Sequence, residues 1–219
     1  MKKIFLLTAA LSVQLSFAQF AKIVDKDGYV NIRENADANS NIVGKINSDE
    51  IVYIFDPDHK NWANVSNGYV HNSRLKYIKS YPAVPPIVRD AGKAIFKSGN
   101  IKVNIASGKF NFKENEKDFT STLHGDFYKE QQVWGLDGTI PKTHYLSITA
   151  QVGDKIIEIP TKDIENLFQV SNKYTTCYYD RENDTLYISM LNSEGAGTYV
   201  ALFTIEKGQY KGRTLEIPF

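Results

Sequence analysis

Residues 27–46, DGYVNIRENADANSNIVGKI, decide the fold of the first part of this chain. Asp27-Gly28 is a turn signal. Val30 and Ile32 alternate with Tyr29, Asn31 and Arg33, the period of two that a strand with one buried face requires. Residues 35–41 are polar and turn-rich and read as an exposed loop, after which Ile42, Val43 and Ile46 open a second strand region. Further out, residues 50–55 (EIVYIF) form a β-branched and aromatic run. Asp56-Pro57-Asp58 breaks it, because proline cannot donate to a strand ladder. Trp62–Val65 is a short strand, Asn67-Gly68 is the strongest hairpin signal in the chain, and the runs beginning at Tyr69 and Leu75 complete the unit. Several short strands with tight turns in about sixty residues predict a small barrel.

The order of these signals resembles a bacterial SH3 domain. Val30-Asn31-Ile32-Arg33 stands where that family has its apolar-Asn-apolar-Arg signature, and Ile42–Ile46 matches the following strand and its glycine. Trp62 and Val65 match the Trp-rich strand, and Gly68-Tyr69-Val70 the Gly-Tyr-Val close. The chain departs from the family at Arg33–Ala36, where a Ser-Gly-Pro type turn is usual, and at Asn61, where Gly is common. The resemblance implies a non-catalytic binding barrel of secreted or cell-wall proteins, with cell-wall peptide or an envelope protein as partner. It implies a shallow groove walled by Tyr29, Trp62, Tyr69 and His71, with Arg33, Glu34 and Asn35 at its edge. The residues alone leave Trp62 open between barrel core and groove, and Tyr29, Tyr69 and His71 open between half-buried sheet positions and a ligand wall.

Before this unit, Lys2 and Lys3 precede a short apolar run, and Ser16 and Ala18 have the small-residue spacing of a signal-peptidase site. Residues 1–18 therefore read as a secretory signal peptide, which places the mature chain in the periplasm or outside the cell. No later segment is apolar enough to span a bilayer as a helix. With 26 Lys+Arg against 25 Asp+Glu, the chain lacks the basic excess that nucleic-acid binding requires. Cys177 is the only cysteine, so no intramolecular disulfide forms and buried apolar surface must carry stability.

Pro82, Pro85 and Pro86 mark residues 80–91 as a stiff linker between the 19–79 domain and a second unit, 92–219. The second unit keeps strand character throughout. Gly153-Asp154, Asn183-Asp184, Glu194-Gly195 and Lys207-Gly208 punctuate its strands, and one short helix is predicted over Lys162–Phe168, capped by Thr161. The whole reads as an all-β protein: an SH3-like small barrel followed by an antiparallel β-sandwich or barrel with one short helix. The second unit also resembles the C-terminal portions of secreted proteins of Bacteroidetes-type bacteria, in its Trp134–Pro141 turn and in Asp184–Ile188. No activity comes with that likeness.

The chemistry-bearing residues favour binding over catalysis. Cys177 lies in a strand interior, TTCYY, with no glycine elbow or helix N-terminus beside it, and reads as a structural thiol. His59, His71, His124 and His144 lack zinc spacing, so neither metal nor other cofactor is expected. Asp56, Asp58, Asp180, Glu182 and Asp184 fall in turns, where such side chains bond the backbone. Asp137-Gly138 beside Trp134 is the best pocket candidate of the second unit, although a turn pinned by a buried Trp explains it more cheaply. The expected function is non-catalytic binding at the cell envelope. The alternatives are an inhibitor or immunity protein against a secreted enzyme, or a cell-wall hydrolase with its site in the C-terminal domain.

Overall fold

A computed structural model describes residues 19–59 and 61–219; the signal-peptide reading lies outside them. The architecture is all-β and antiparallel. Eight strands form the N-terminal unit: β1 (Phe20–Ile23), β2 (Tyr29–Arg33), β3 (Ile42–Asn47), β4 (Ile51–Tyr53), β5 (Asp56–His59), β6 (Trp62–Val65), β7 (Gly68–His71) and β8 (Leu75–Tyr77). They make two sheets, β4-β1-β8 and β3-β2-β7-β6-β5. Ala21 and Ile23 of the first sheet meet Val30, Ile32, Ala63, Val65 and Val70 of the second in one buried core.

Two turn readings are refined. The β6–β7 hairpin pairs Val65 with Gly68, so Ser66-Asn67 is the turn and Gly68 opens the returning strand at φ 139°. A Cβ on Gly68 would lie 2.3 Å from the Arg33 carbonyl oxygen, which explains why β7 starts with glycine where it crosses β2. Pro57 does not end strand structure. It sits within β5, the edge of its sheet, where a missing donor costs no ladder bond.

The second unit holds β9 (Ala83–Val84), β10 (Pro86–Arg89), β11 (Lys93–Ser98), β12 (Ile101–Lys109), β13 (Phe119–Thr122), β14 (Gly125–Tyr128), β15 (Gln131–Gln132), β16 (Thr143–Val152), β17 (Lys155–Glu158), β18 (Thr176–Asp180), β19 (Thr185–Asn192), β20 (Tyr199–Glu206) and β21 (Gln209–Glu216). Sheet β10-β11-β12-β16-β17 faces sheet β21-β20-β19-β18-β9, and β13–β15 form a small separate sheet. Phe96, Val103, Ile105 and Ile148 from one large sheet interdigitate with Leu186, Ile188, Met190 and Phe203 from the other. This is sandwich packing.

The linker reading of residues 80–91 is corrected. Cys177 and Tyr178 of β18 pair with Val84 and Ala83, and β10 pairs with β11, so the segment is woven into both large sheets. Its prolines fit because β9 and β10 are edge strands. The helix expected over Lys162–Phe168 is only a 3-10 turn, Thr161–Asp163. Leu167 and Phe168 instead bridge to Trp134 and His144, so tertiary pairing overrides the helical spacing of the apolar residues. The one α-helical turn among the described residues is Phe112–Asn115, α1, in a stretch that reads as strand and loop. No helix among the described residues is long and apolar enough to cross a membrane.

The barrel and the sandwich share a third buried cluster. Phe20, Tyr53 and Ile78 of the barrel pack on Tyr187, Val200 and Leu202, which point away from the sandwich core. Tyr81 stacks on Tyr187 at 5.6 Å between centroids. Sheet β21-β20-β19-β18-β9 is thus the middle layer of the molecule, covered on both faces.

Candidate functional site

The outward face of β2, with β6 and β7, floors a groove of about 410 Å³ on the barrel. Because Val30 and Ile32 point into the core, Tyr29, Asn31 and Arg33 are turned outward along one strand. Trp62 and His71 are cross-strand partners in β6 and β7, and their rings meet edge-to-face at 5.2 Å. Trp62 is half-buried, so it belongs to the groove wall rather than to the barrel core. His71 Nδ1 accepts from the Ser73 backbone N–H at 3.3 Å and contacts Ser73 Oγ at 2.8 Å. In the neutral ring this leaves the proton on Nε2.

Charge enters from both signs. Arg74 Nη1 lies 2.7 Å from Asp25 Oδ2, pairing a carboxylate only 5% exposed with a half-exposed guanidinium. Asp25 Oδ1 also accepts from the Asp27 N–H at 2.8 Å, fixing the turn that carries Asp27 into the groove. Arg33 Nη1 donates to the Ser40 carbonyl at 2.7 Å and holds the 34–41 loop against the barrel. Lys45 Nζ sits 4.0 Å over the Tyr29 ring, bracing that side chain at the rim. Asn31 Oδ1 is buried in the groove wall and has no hydrogen-bond partner among the described residues.

Of the seven residues expected at a ligand site, Tyr29, Arg33, Trp62 and His71 converge here. Glu34 and Asn35 do not line the groove. Glu34 Oε2 accepts from Asn41 Nδ2 at 2.9 Å and Asn35 N–H donates to Ser40 Oγ at 2.9 Å, so both shape the loop. Tyr69 is outside the lining as well, sitting opposite Arg33 and Asn64 in the ladders. Asp25, Asn31, Ser73 and Arg74 line the groove without having been picked out from sequence. The outward phase of Asn31 in YVNIR was a readable signal. Asp25 and Arg74 carried none, since only the β1–β8 pairing brings their neighbourhoods together. Asn61, where the resembled family has glycine, takes φ 71°, a left-handed conformation that asparagine tolerates.

The other candidate chemistries find different settings. Cys177 is 1% exposed on β18 between the sheets, and burial pushes its thiol far up, away from the thiolate a nucleophile needs. His144 is edge-on to Phe110 at 5.1 Å, and burial lowers its pKa, which keeps it neutral at pH 7. Among the described residues no group of three or more His, Cys, Asp or Glu is placed to hold a metal. No known protein family, curated protein or solved structure matches the chain.

Proposed function

We propose that this is a secreted, non-catalytic binding protein of the cell envelope. Its SH3-like barrel takes a short peptide bearing both amino and carboxylate groups, as a cell-wall stem peptide does. The observation that carries the reading is the groove itself. Two carboxylates, two guanidiniums, the Trp62–His71 pair and the orphaned Asn31 acceptor share one concave surface. An unmet buried acceptor costs on the order of 1–3 kcal/mol, which a ligand N–H relieves on binding. Guanidiniums receive carboxylates in a fixed fork, and Asp27 is the carboxylate available to an ammonium. The wall is shallow and partly apolar, which suits modest affinity.

The test is a titration of the 19–219 chain with soluble muropeptides, followed by backbone amide shifts. Saturable shifts at Asn31, Trp62 and His71, lost in Arg33→Ala, support the reading. Silence at millimolar ligand removes wall peptide and leaves an envelope protein segment as occupant, to be sought by crosslinking from Tyr29.

A further inference from the structure

We propose a second, independent site in the sandwich, a pocket for a neutral polyhydroxyl ligand of mono- to disaccharide size. A cavity of about 440 Å³ opens between the 135–143 turn, the 169–174 segment and the start of the loop after β19. That volume lies in the range of about 300–1,000 Å³ typical of small-molecule sites. It shares no residue with the barrel groove.

The pocket is held by backbone that the rest of the structure over-determines. Gly135 (φ 94°), Gln169 (φ 50°) and Ser193 (φ 62°) all adopt left-handed conformations, two of them without glycine's freedom. A Cβ on Gly135 would stand 2.3 Å from the Phe168 carbonyl oxygen. These strained points are tied to one another. Ser193 N–H donates to Gln169 O at 3.0 Å, Ser193 Oγ donates to Gly135 O at 3.0 Å, and Gln169 N–H donates to Thr143 O at 3.0 Å. Beneath them, fully buried Asn192 Oδ1 accepts from both Tyr145 Oη and Ser171 N–H. For Gln169 and Ser193, which lack glycine's freedom, such a conformation is strained, and residues held this way cluster at ligand-binding surfaces.

The lining selects the ligand class. Asp137 and Glu194 against Lys142 leave the wall slightly acidic, which disfavours an anion. Val170 is its one aliphatic side chain, which disfavours an apolar ligand. The remaining side chains are hydroxyls (Thr139, Thr143, Ser171, Ser193), the Gln169 amide and Tyr174. Thr143 and Ser193 give their protons to Val170 O and Gly135 O and so present acceptor lone pairs. Thr139 and Ser171 accept from Gln169 Nε2 and Lys173 N–H and keep a proton to donate. A carboxylate can accept from two adjacent hydroxyls at once, which completes the mixed pattern that sugar O–H groups match. The Tyr174 ring supplies an apolar surface for a sugar's C–H groups.

The experiment titrates the 19–219 chain with N,N′-diacetylchitobiose and with cellobiose, using spermidine and inorganic phosphate as cation and anion probes, and reads backbone amide shifts. Saturable shifts confined to residues 135–143, 169–174 and 193–194 with either disaccharide are expected. Asp137→Asn or Glu194→Gln should weaken them at least about tenfold, the loss of one charge-assisted hydrogen bond. Arg33→Ala, which weakens the barrel groove, should leave them unchanged, so this site and the proposed peptide site fail separately. Wild-type-like spectra of the free variants exclude misfolding. No shift with either disaccharide up to about 50 mM overturns the proposal. Shifts with spermidine or phosphate alone overturn it too, by assigning the pocket to an ion.

Discussion

Replacing Leu202 by alanine tests whether barrel and sandwich are one folding unit. Leu202 is fully buried on the face of β20 that meets the barrel, in the cluster with Phe20, Tyr53, Ile78, Tyr187 and Val200. Leu202→Ala deletes side-chain carbons from a site closed on both sides, at an expected cost of about 2–5 kcal/mol. At roughly 2–4 °C per kcal/mol for a chain of this size, the melting temperature should fall by roughly 4–20 °C. The assay exploits the two tryptophans, Trp62 in the barrel and Trp134 in the sandwich. In Trp134→Phe and Trp62→Phe backgrounds, urea unfolding followed by fluorescence reports each unit separately. If the joint couples them, both probes give one coincident transition before and after Leu202→Ala, and both midpoints move down together with unchanged slope. A barrel transition that stays put while the sandwich transition moves would refute the reasoning, as would a cost below about 1 kcal/mol.

Three further outcomes are expected. Gly68→Ala should destabilise by more than about 2 kcal/mol in a thermal melt, because the new methyl meets the Arg33 carbonyl at 2.3 Å and the residue is held at φ 139°. Native protein should not react with a thiol reagent such as DTNB until denaturant is added, since Cys177 is buried and its thiol is pushed up by desolvation. Asp180 should contribute acid sensitivity. Burial alone would raise its carboxyl, but hydrogen bonds from the Asn183 side chain and N–H, the Glu182 N–H and Tyr81 hold it below the ordinary aspartate range. A depressed folded-state pKa gives stability that is present above the unfolded value and lost as pH falls through the folded one. Asp180→Asn should therefore flatten the loss of stability measured from about pH 4 downward.

The barrel was legible because its strands are buried on one face. In YVNIR the alternation separates Val30 and Ile32 from Asn31 and Arg33, and the structure buries the first pair and turns the second outward. The family resemblance, rather than the alternation, named four of the groove residues. It missed Asp25 and Arg74, whose 2.7 Å pairing depends on two strands more than fifty positions apart. The helix at 162–168 failed for the complementary reason. The apolar spacing there fits a helix, but Leu167 and Phe168 are claimed by Trp134 and His144, which local sequence does not show. The linker reading rested on prolines that are equally at home on sheet edges.

The three-layer arrangement was also written in the chain, in a form easily read as an ordinary meander. Residues 185–192 (TLYISMLN) and 199–205 (YVALFTI) are apolar nearly without alternation, and nearly every one is buried. A strand of a two-layer sandwich has a polar face; one that lacks it is covered on both sides. The cover on the second side is the barrel. It docks through Phe20 of β1, Tyr53 of β4 and Ile78 just after β8, all from the sheet β4-β1-β8 or its flank. The groove is built on the other sheet, from β2, β6 and β7. The docking contact and the candidate groove thus use different sheets of the same small barrel, so the attachment leaves the groove open. A module on a flexible tether would raise the local concentration of a second site only statistically, by an amount set by linker length. Here the tether is replaced by a packed joint, and groove and sandwich pocket are held at one fixed separation. A ligand that engages both must match that separation, and one that does not gains nothing from having two sites.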